Sequence, residues 1–219
     1  LRRRTEPQAL SAPRTEAEDQ PEAEPPPPVL RRTRHPPPGN LISYRLALSG
    51  DHSESTLLMR PIDERAIRAS FINASRKEVS VITLPADFAE LDFDKLDYLG
   101  WTDPKLPRRA YVVAWIDDAP VGVVLQRAEQ RVLSRAQCSW CEDVTLRNDV
   151  QLFVARKAGA AGRKGDTVGN LACAEFGCSR NVRILPPLAY QGYDRELARE
   201  MRILRLQEHI TGFLQAVAG

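Results

Sequence analysis

Cys138-Ser139-Trp140-Cys141 and Cys173-Ala174-Glu175-Phe176-Gly177-Cys178 decide how this chain is read. The first is a C-x2-C, the second a C-x4-C, and 31 residues separate them. A C-x2-C turn points two sulfurs toward one spot and lets backbone amides face the thiolates. Two such turns, brought together by strands, supply four soft anionic ligands in a tetrahedron, the set that suits Zn2+. The two pairs use every cysteine in the chain, so a shared metal is the better reading than two disulfides, a redox pair or idle buried thiols. A redox C-x-x-C opens a helix, and Glu142-Asp143-Val144-Thr145 is a poor helix start. With one Zn2+ on Cys138, Cys141, Cys173 and Cys178, no position is left for water or substrate. The expected metal is therefore structural.

Outward from the cysteines the apolar pattern has the period of strands. Ala110–Ile116 reads as one strand, Asp117-Asp118 as a turn rather than a carboxylate pair, and Val121–Gln126 as the hairpin return. Arg131–Ala136 is an expected third strand. Gln151–Ala155 and Thr167–Ala172 follow, joined by a Gly-rich basic loop over Arg156–Gly165. That loop has no Gly-Lys-Ser/Thr ending and no GxGxxG, so it reads as a bare flexible loop and not a phosphate cradle.

Before the strands the period is helical. Pro61, Asp63 and Glu64 suit a helix entry, and Ile67, Phe71 and Ile72 predict a helix over about 63–74. Ser75 and Glu78 have capping-box spacing for a second short helix to about Ile82, which Pro85 ends. Leu91–Leu99 predicts a third, and Gly100–Pro107 a turn-rich joint. After the cysteines, Leu197, Met201, Leu204, Leu206, Ile210, Phe213, Leu214 and Val217 mark one broad face of a long helix near 194–217.

Ten of the 17 prolines fall in residues 1–58, a stretch without lysine, Trp, Phe or Cys. Residues 1–40 therefore read as a disordered, solvated tail, with too little apolar surface to offset ordering entropy. Met59 is the first methionine and directly precedes the first helix signals. We expect it to be the native start, with residues 1–58 as translated upstream sequence.

Several function classes lose their material. No run approaches the ~18–20 apolar residues of a membrane helix. The first residues lack the apolar core and cleavage site of a secretory signal. A net charge of +2 argues against a broad nucleic-acid footprint, though not against a local basic patch. His209 is the only histidine outside the proline-rich stretch, which leaves little for a His-based triad and makes a plain surface or core histidine the better reading.

For partner contact, the candidates are Arg156, Lys157, Arg163 and Lys164 on the basic loop and Trp140 in the first cysteine turn. Trp140 reads equally as an exposed interface anchor or as a lid over the sulfurs. Phe176, between the second pair, reads as core.

The order of these features resembles the elongation-factor-G-binding proteins of the FusB type, known for fusidic acid resistance. The resemblance is carried by Leu99-Gly100-Trp101, the Ala110–Ile116 strand, the return at Val121-Gly122, the C-x2-C, Val150-Gln151-Leu152-Phe153-Val154, the Gly-basic loop and the C-x4-C. Arg60–Glu78 further resembles the compact branch called FBP-domain proteins. The resemblance spans about residues 60–185. It implies an α+β chain with a small N-terminal helical region, then an antiparallel, hairpin-rich, treble-clef-like zinc domain and a C-terminal helix. The four cysteines would be its zinc ligands. It also implies a non-enzymatic, cytoplasmic protein that binds elongation factor G and modulates its release from the ribosome. The other reading is a zinc-scaffolded RNA or ribosome-binding module. The expected divisions are a tail (1–58), a helical region (59–99), the zinc domain (100–190) and an amphipathic helix (191–219), in a monomer.

Overall fold

The computed structural model describes residues 59–129, 136–144 and 149–219. The expected tail over 1–58, and all but Ala136 of the expected strand Arg131–Ala136, lie outside the described residues.

A five-stranded sheet, β1 (Leu99–Thr102), β2 (Arg109–Ile116), β3 (Ala119–Arg127), β4 (Val150–Arg156) and β5 (Thr167–Cys173), runs in sequence order with every neighbouring pair antiparallel. β2 is nearly all apolar because both of its faces are covered. Ala110, Val112 and Ala114 join one core with Val123, Leu125, Phe153 and the cysteines. Tyr111 and Val113 join a second, with Met59, Ile62, Ile67, Leu99 and Trp101. The hairpin turn falls at Asp117, which has a left-handed φ of 52°.

The second core is the underside of the N-terminal region. Helix α1 (Glu64–Ser70) is capped by Asp63, whose Oδ1 accepts from the Ala66 amide at 2.7 Å. It stops short of the expected residue 74 because Phe71 turns extended and bridges in parallel to Gly122, with the Ile72 amide donating to the Gly122 carbonyl at 3.0 Å. Helix α2 (Arg76–Ser80) shows both arms of the capping box, Ser75 N to Glu78 Oε2 at 2.8 Å and Glu78 N to Ser75 Oγ at 3.2 Å.

Two sequence expectations fail between 88 and 102. Leu91–Leu99 does not form a helix: two 3-10 turns, Phe88–Glu90 and Phe93–Lys95, precede a chain held extended by its neighbours. The Leu96 carbonyl accepts from the Met59 amide, and the Asp97 amide donates to Ser179 Oγ, at 2.9 and 3.0 Å. Leu99, expected to end that helix, and Gly100-Trp101, expected to open a turn-rich joint, instead form strand β1, registered against Tyr111–Val113.

The Gly-rich stretch is not a bare loop either. It folds into a helical turn, α3 (Gly159–Arg163), closed by Lys164 N to Ala160 O at 3.2 Å and Asp166 N to Ala161 O at 3.1 Å. Gly162 is needed there, because a Cβ would sit 1.7 Å from the Lys157 carbonyl oxygen.

A short helix, α4 (Cys178–Arg183), leads to the long α5 (Arg195–Ala218), capped by Asp194. Leu206, Ile210, Phe213, Leu214 and Val217 bury one stripe against the first core. Leu197 and Met201 are half-buried, and Leu204 is 38% exposed. Two residues turn a helix by about 200°, so Leu204 and Leu206 face opposite ways. No described helix is long and apolar enough to cross a membrane.

Candidate metal centre

β5 delivers Cys173 and α4 begins at Cys178, so the second cysteine pair bridges the end of the sheet and a helix. Between them the chain reverses in a tight turn, with Phe176 N donating to Cys173 O at 3.0 Å. The first turn closes in the same way, Glu142 N to Cys138 O at 3.0 Å. Each turn places a non-glycine residue in left-handed backbone, Glu142 at φ 50° and Phe176 at φ 54°, a conformation that costs on the order of 1–3 kcal/mol. Both are held by contacts beyond the turn. Gln137 Nε2 donates to the Glu142 carbonyl at 2.8 Å, and Tyr98 Oη donates to the Phe176 carbonyl at 3.1 Å.

The two turns meet with their sulfurs interleaved. Cys138 Sγ lies 3.7 Å from Cys178 Sγ, and Cys141 Sγ 3.7 Å from Cys173 Sγ. All four sulfurs lie within 4.8 Å of one another, and all four residues are buried and free of disulfides. A tetrahedral ion with Zn–S bonds of ~2.3 Å needs sulfur–sulfur edges of ~3.8 Å, so the donor set and its spacing fit one structural Zn2+. Hydrogen bonds from Cys141, Cys173 and Cys178 pull the Cys138 thiol far down, while contacts with Cys138, Cys141 and Cys173 push that of Cys178 far up. A divalent cation relieves that competition by holding all four as thiolates. Asn181 Nδ2, on α4, donates to Cys173 Sγ at 3.7 Å, an outer contact of the kind that orients a ligand.

Trp140 corrects one sequence expectation. It is 1% exposed, with its ring 5.4 Å from Tyr98, 5.5 Å from Phe213 and 6.1 Å from Phe176. It is a lid within the core beside the cysteines and cannot be a surface anchor: its neighbours just before β1, in the second turn and on α5 enclose it. His209 on α5 meets the Trp140 carbonyl through Nδ1 at 3.0 Å. A carbonyl only accepts, so Nδ1 carries the proton. Phe176 is core, as expected.

The four basic residues form a different locus. β5 runs from Thr167 to Cys173, so the basic turn lies roughly 20 Å along the strand from the sulfurs. Arg156 is engaged with Glu78 at 3.5 Å and with the Asn73 carbonyl at 3.4 Å. Lys157, Arg163 and Lys164 have no carboxylate partner among the described residues. The Ala158 amide donates to the Val217 carbonyl at 2.7 Å, which ties the turn to the last turn of α5.

The sequence reading missed the polar groups that hold the metal turns in place. Asp97, fully buried, receives Arg183 from α4 and Gln207 Nε2 from α5, the latter at 2.9 Å. Arg202 of α5 pairs with Asp143, just after the first turn, and donates to the Ile184 and Asn181 carbonyls at 3.1 and 3.2 Å. The side-chain-to-side-chain pairs are separated by 59 to 110 residues, and no local pattern announces them.

No curated protein matches the chain. Residues 66–217, which take in most of α1, the sheet, both cysteine turns and nearly all of α5, match the FBP C-terminal treble-clef zinc-finger, and the chain belongs to that family.

Proposed function

We propose that this protein is a non-catalytic, cytoplasmic factor that binds translation elongation factor G as a monomer and modulates its release from the ribosome. Membership of the FBP zinc-finger family carries this reading. The metal site supports a binding role, because four protein sulfurs close it and leave no position for a substrate. A rigid zinc-tied sheet then presents its outer surfaces, and we assign the contact to Arg156, Lys157, Arg163 and Lys164. Trp140 is left out, since it is buried. Binding would favour the released factor only through differential affinity for its free and ribosome-bound states.

The test is a calorimetric titration of the zinc-loaded chain with purified elongation factor G. Association at tens of micromolar or tighter is expected, about −6 to −7 kcal/mol. No complex at roughly 100 µM removes the reading.

One observation favours a second reading, a module that binds ribosomal RNA: Lys157, Arg163 and Lys164 lack carboxylate partners among the described residues. RNA binding would weaken linearly in log salt, by about 0.7–0.9 per phosphate contact, and neutralising Arg163 and Lys164 would lower that slope.

A further inference from the structure

The outer edge of β5 can be assigned group by group. β5 is the last strand of the sheet. Opposite residues of an antiparallel pair either exchange both backbone bonds or neither. Leu152 faces Leu171, and its carbonyl is turned to the β3 side, where it accepts from the Ala128 amide at 2.8 Å. Arg156 faces Thr167, and its carbonyl is likewise turned to that side, where Asn73 Nδ2 donates to it at 2.9 Å. Val154, between them, faces Gly169. The partners of these three, Thr167, Gly169 and Leu171, therefore turn their backbone groups away from β4. The Leu171 carbonyl agrees: it accepts from Ser139 N, in the first cysteine turn, at 2.8 Å.

That leaves the N–H and C=O groups of Thr167 and Gly169 pointing outward. No group among the described residues bonds to them, and both residues are exposed. Natural edges are commonly guarded by lysine, proline or an inward charge. Thr167-Val168-Gly169-Asn170-Leu171-Ala172-Cys173 has none of these. Arg163 and Lys164 stand a few residues before it, with Lys157 at the other side of the same turn, and Asp166, directly before Thr167, is the one carboxylate between residues 156 and 167.

An open ladder beside cations without acidic partners fits one kind of occupant, an extended acidic segment. We propose that elongation factor G docks such a segment as an added strand on the β5 edge at Thr167–Gly169. This rests on the reading of that factor as the partner. Backbone bonds at alternate residues would set the register, and the cations of the α3 turn would select acidic side chains and speed encounter.

Amide exchange on the full zinc-loaded chain, with and without purified elongation factor G, tests this. In the free protein the Thr167 and Gly169 amides should exchange freely while Val168 and Asn170, bonded to β4, are protected. The factor should slow Thr167 and Gly169 by about tenfold or more. Gly169→Pro removes one outward N–H and leaves the β4 ladder intact. A Cβ there would lie 3.6 Å from Leu152 Cδ1, an ordinary contact. It should weaken binding about tenfold at unchanged zinc content. Arg163→Ser with Lys164→Ser should weaken it further and flatten its salt dependence. Binding that leaves both amides at their free rates overturns strand addition while the choice of partner stands. Absence of any complex overturns both. Should Gly169→Pro fail to fold, the exchange data on the unaltered chain decide.

Discussion

Asp97, whose side chain is wholly buried, takes both terminal nitrogens of Arg183, at 2.5 and 3.3 Å. The carboxylate lies in the segment entering β1 and the guanidinium on the helix opened by Cys178. Gln207 of α5 bonds the same carboxylate, at 2.9 Å. One buried charge thus ties the N-terminal region, the second metal turn and the C-terminal helix together.

The two ends of that pair are not equivalent. Arg183→Ala strands a buried carboxylate with Gln207 Nε2 as its remaining side-chain donor, and should cost about 3–5 kcal/mol. Asp97→Ala leaves a guanidinium that is 26% exposed and can reach water, so it should cost less. The double variant should lose less than the sum of the two. Urea midpoints of the zinc-loaded proteins measure all three, and equal losses for the single variants would contradict the asymmetry.

A second buried carboxylate gives a pH signature. Burial alone would raise Asp103, but the Tyr111 hydroxyl at 2.6 Å and the Lys105 and Leu106 amides at 2.8 and 3.1 Å outweigh it and hold it below 3.8. A carboxyl depressed on folding contributes stability that is full above its unfolded value and lost as the pH falls through the folded one. Tyr111 is raised above 10.0, by burial first and then by Asp103, so its share is full below 10 and lost as the pH rises past it. Tyr111→Phe should cost about 1.5–3 kcal/mol at neutral pH. The deficit should shrink below about pH 4 and again in strong alkali. A deficit constant from pH 2.5 to 11 would show that the bond does not titrate.

Trp140 offers a comparison within one side chain. Its Nε1–H has no acceptor among the described residues, so the ring contributes packing at the cost of a buried donor. Trp140→Ala should lose about 3–5 kcal/mol through the cavity. Trp140→Phe keeps an aromatic ring, removes the unsatisfied donor, and should lose well under half as much. Thermal unfolding of the two variants with zinc bound gives the ratio.

Zinc removal should act on the turns first. The purified chain is expected to carry one zinc. A strong chelator should abolish the near-ultraviolet dichroism from Trp140 and Tyr98, because their packing depends on Cys138–Cys141 and on Phe176 between Cys173 and Cys178. An unchanged spectrum in a verified metal-free sample would mean that the aromatic cluster holds the turns without the ion.

What the sequence disclosed follows from where the signal lies. The four cysteines, the capping box at Ser75 and Glu78, and the β2–β3 hairpin are local patterns, and each stands where its spacing put it. β1 was illegible because its four residues gain strand character only by pairing with β2, and because its neighbours Asp97 and Tyr98 are fixed by Ser179 and Phe176, some 80 residues away. Trp140 could be read either way because burial depends on α5, which reaches it through Phe213 and His209. The open edge of β5 was equally invisible, since which backbone groups point outward is a matter of register and not of side-chain chemistry.

Gly100 joins the sheet to the metal. A Cβ at this position would lie 2.7 Å from Phe176 Cβ and 2.9 Å from Tyr98 Cε2, closer than such atoms approach. Phe176 cannot yield easily. Its backbone is already left-handed, its ring packs 5.0 Å from Phe153, and its carbonyl is held by Tyr98. Gly100→Ala must therefore push the second turn outward or bend β1, with an overpacking cost of about 1–3 kcal/mol. Because Cys173 and Cys178 flank Phe176, part of that cost should appear as weaker zinc binding, a fall of about tenfold or more in a competition titration. Gly169→Ala, on the open edge of β5 with its nearest neighbour at 3.6 Å, serves as the control and should leave zinc affinity unchanged. Equal zinc affinity in the two variants would mean that β1 and the metal turn are not mechanically coupled.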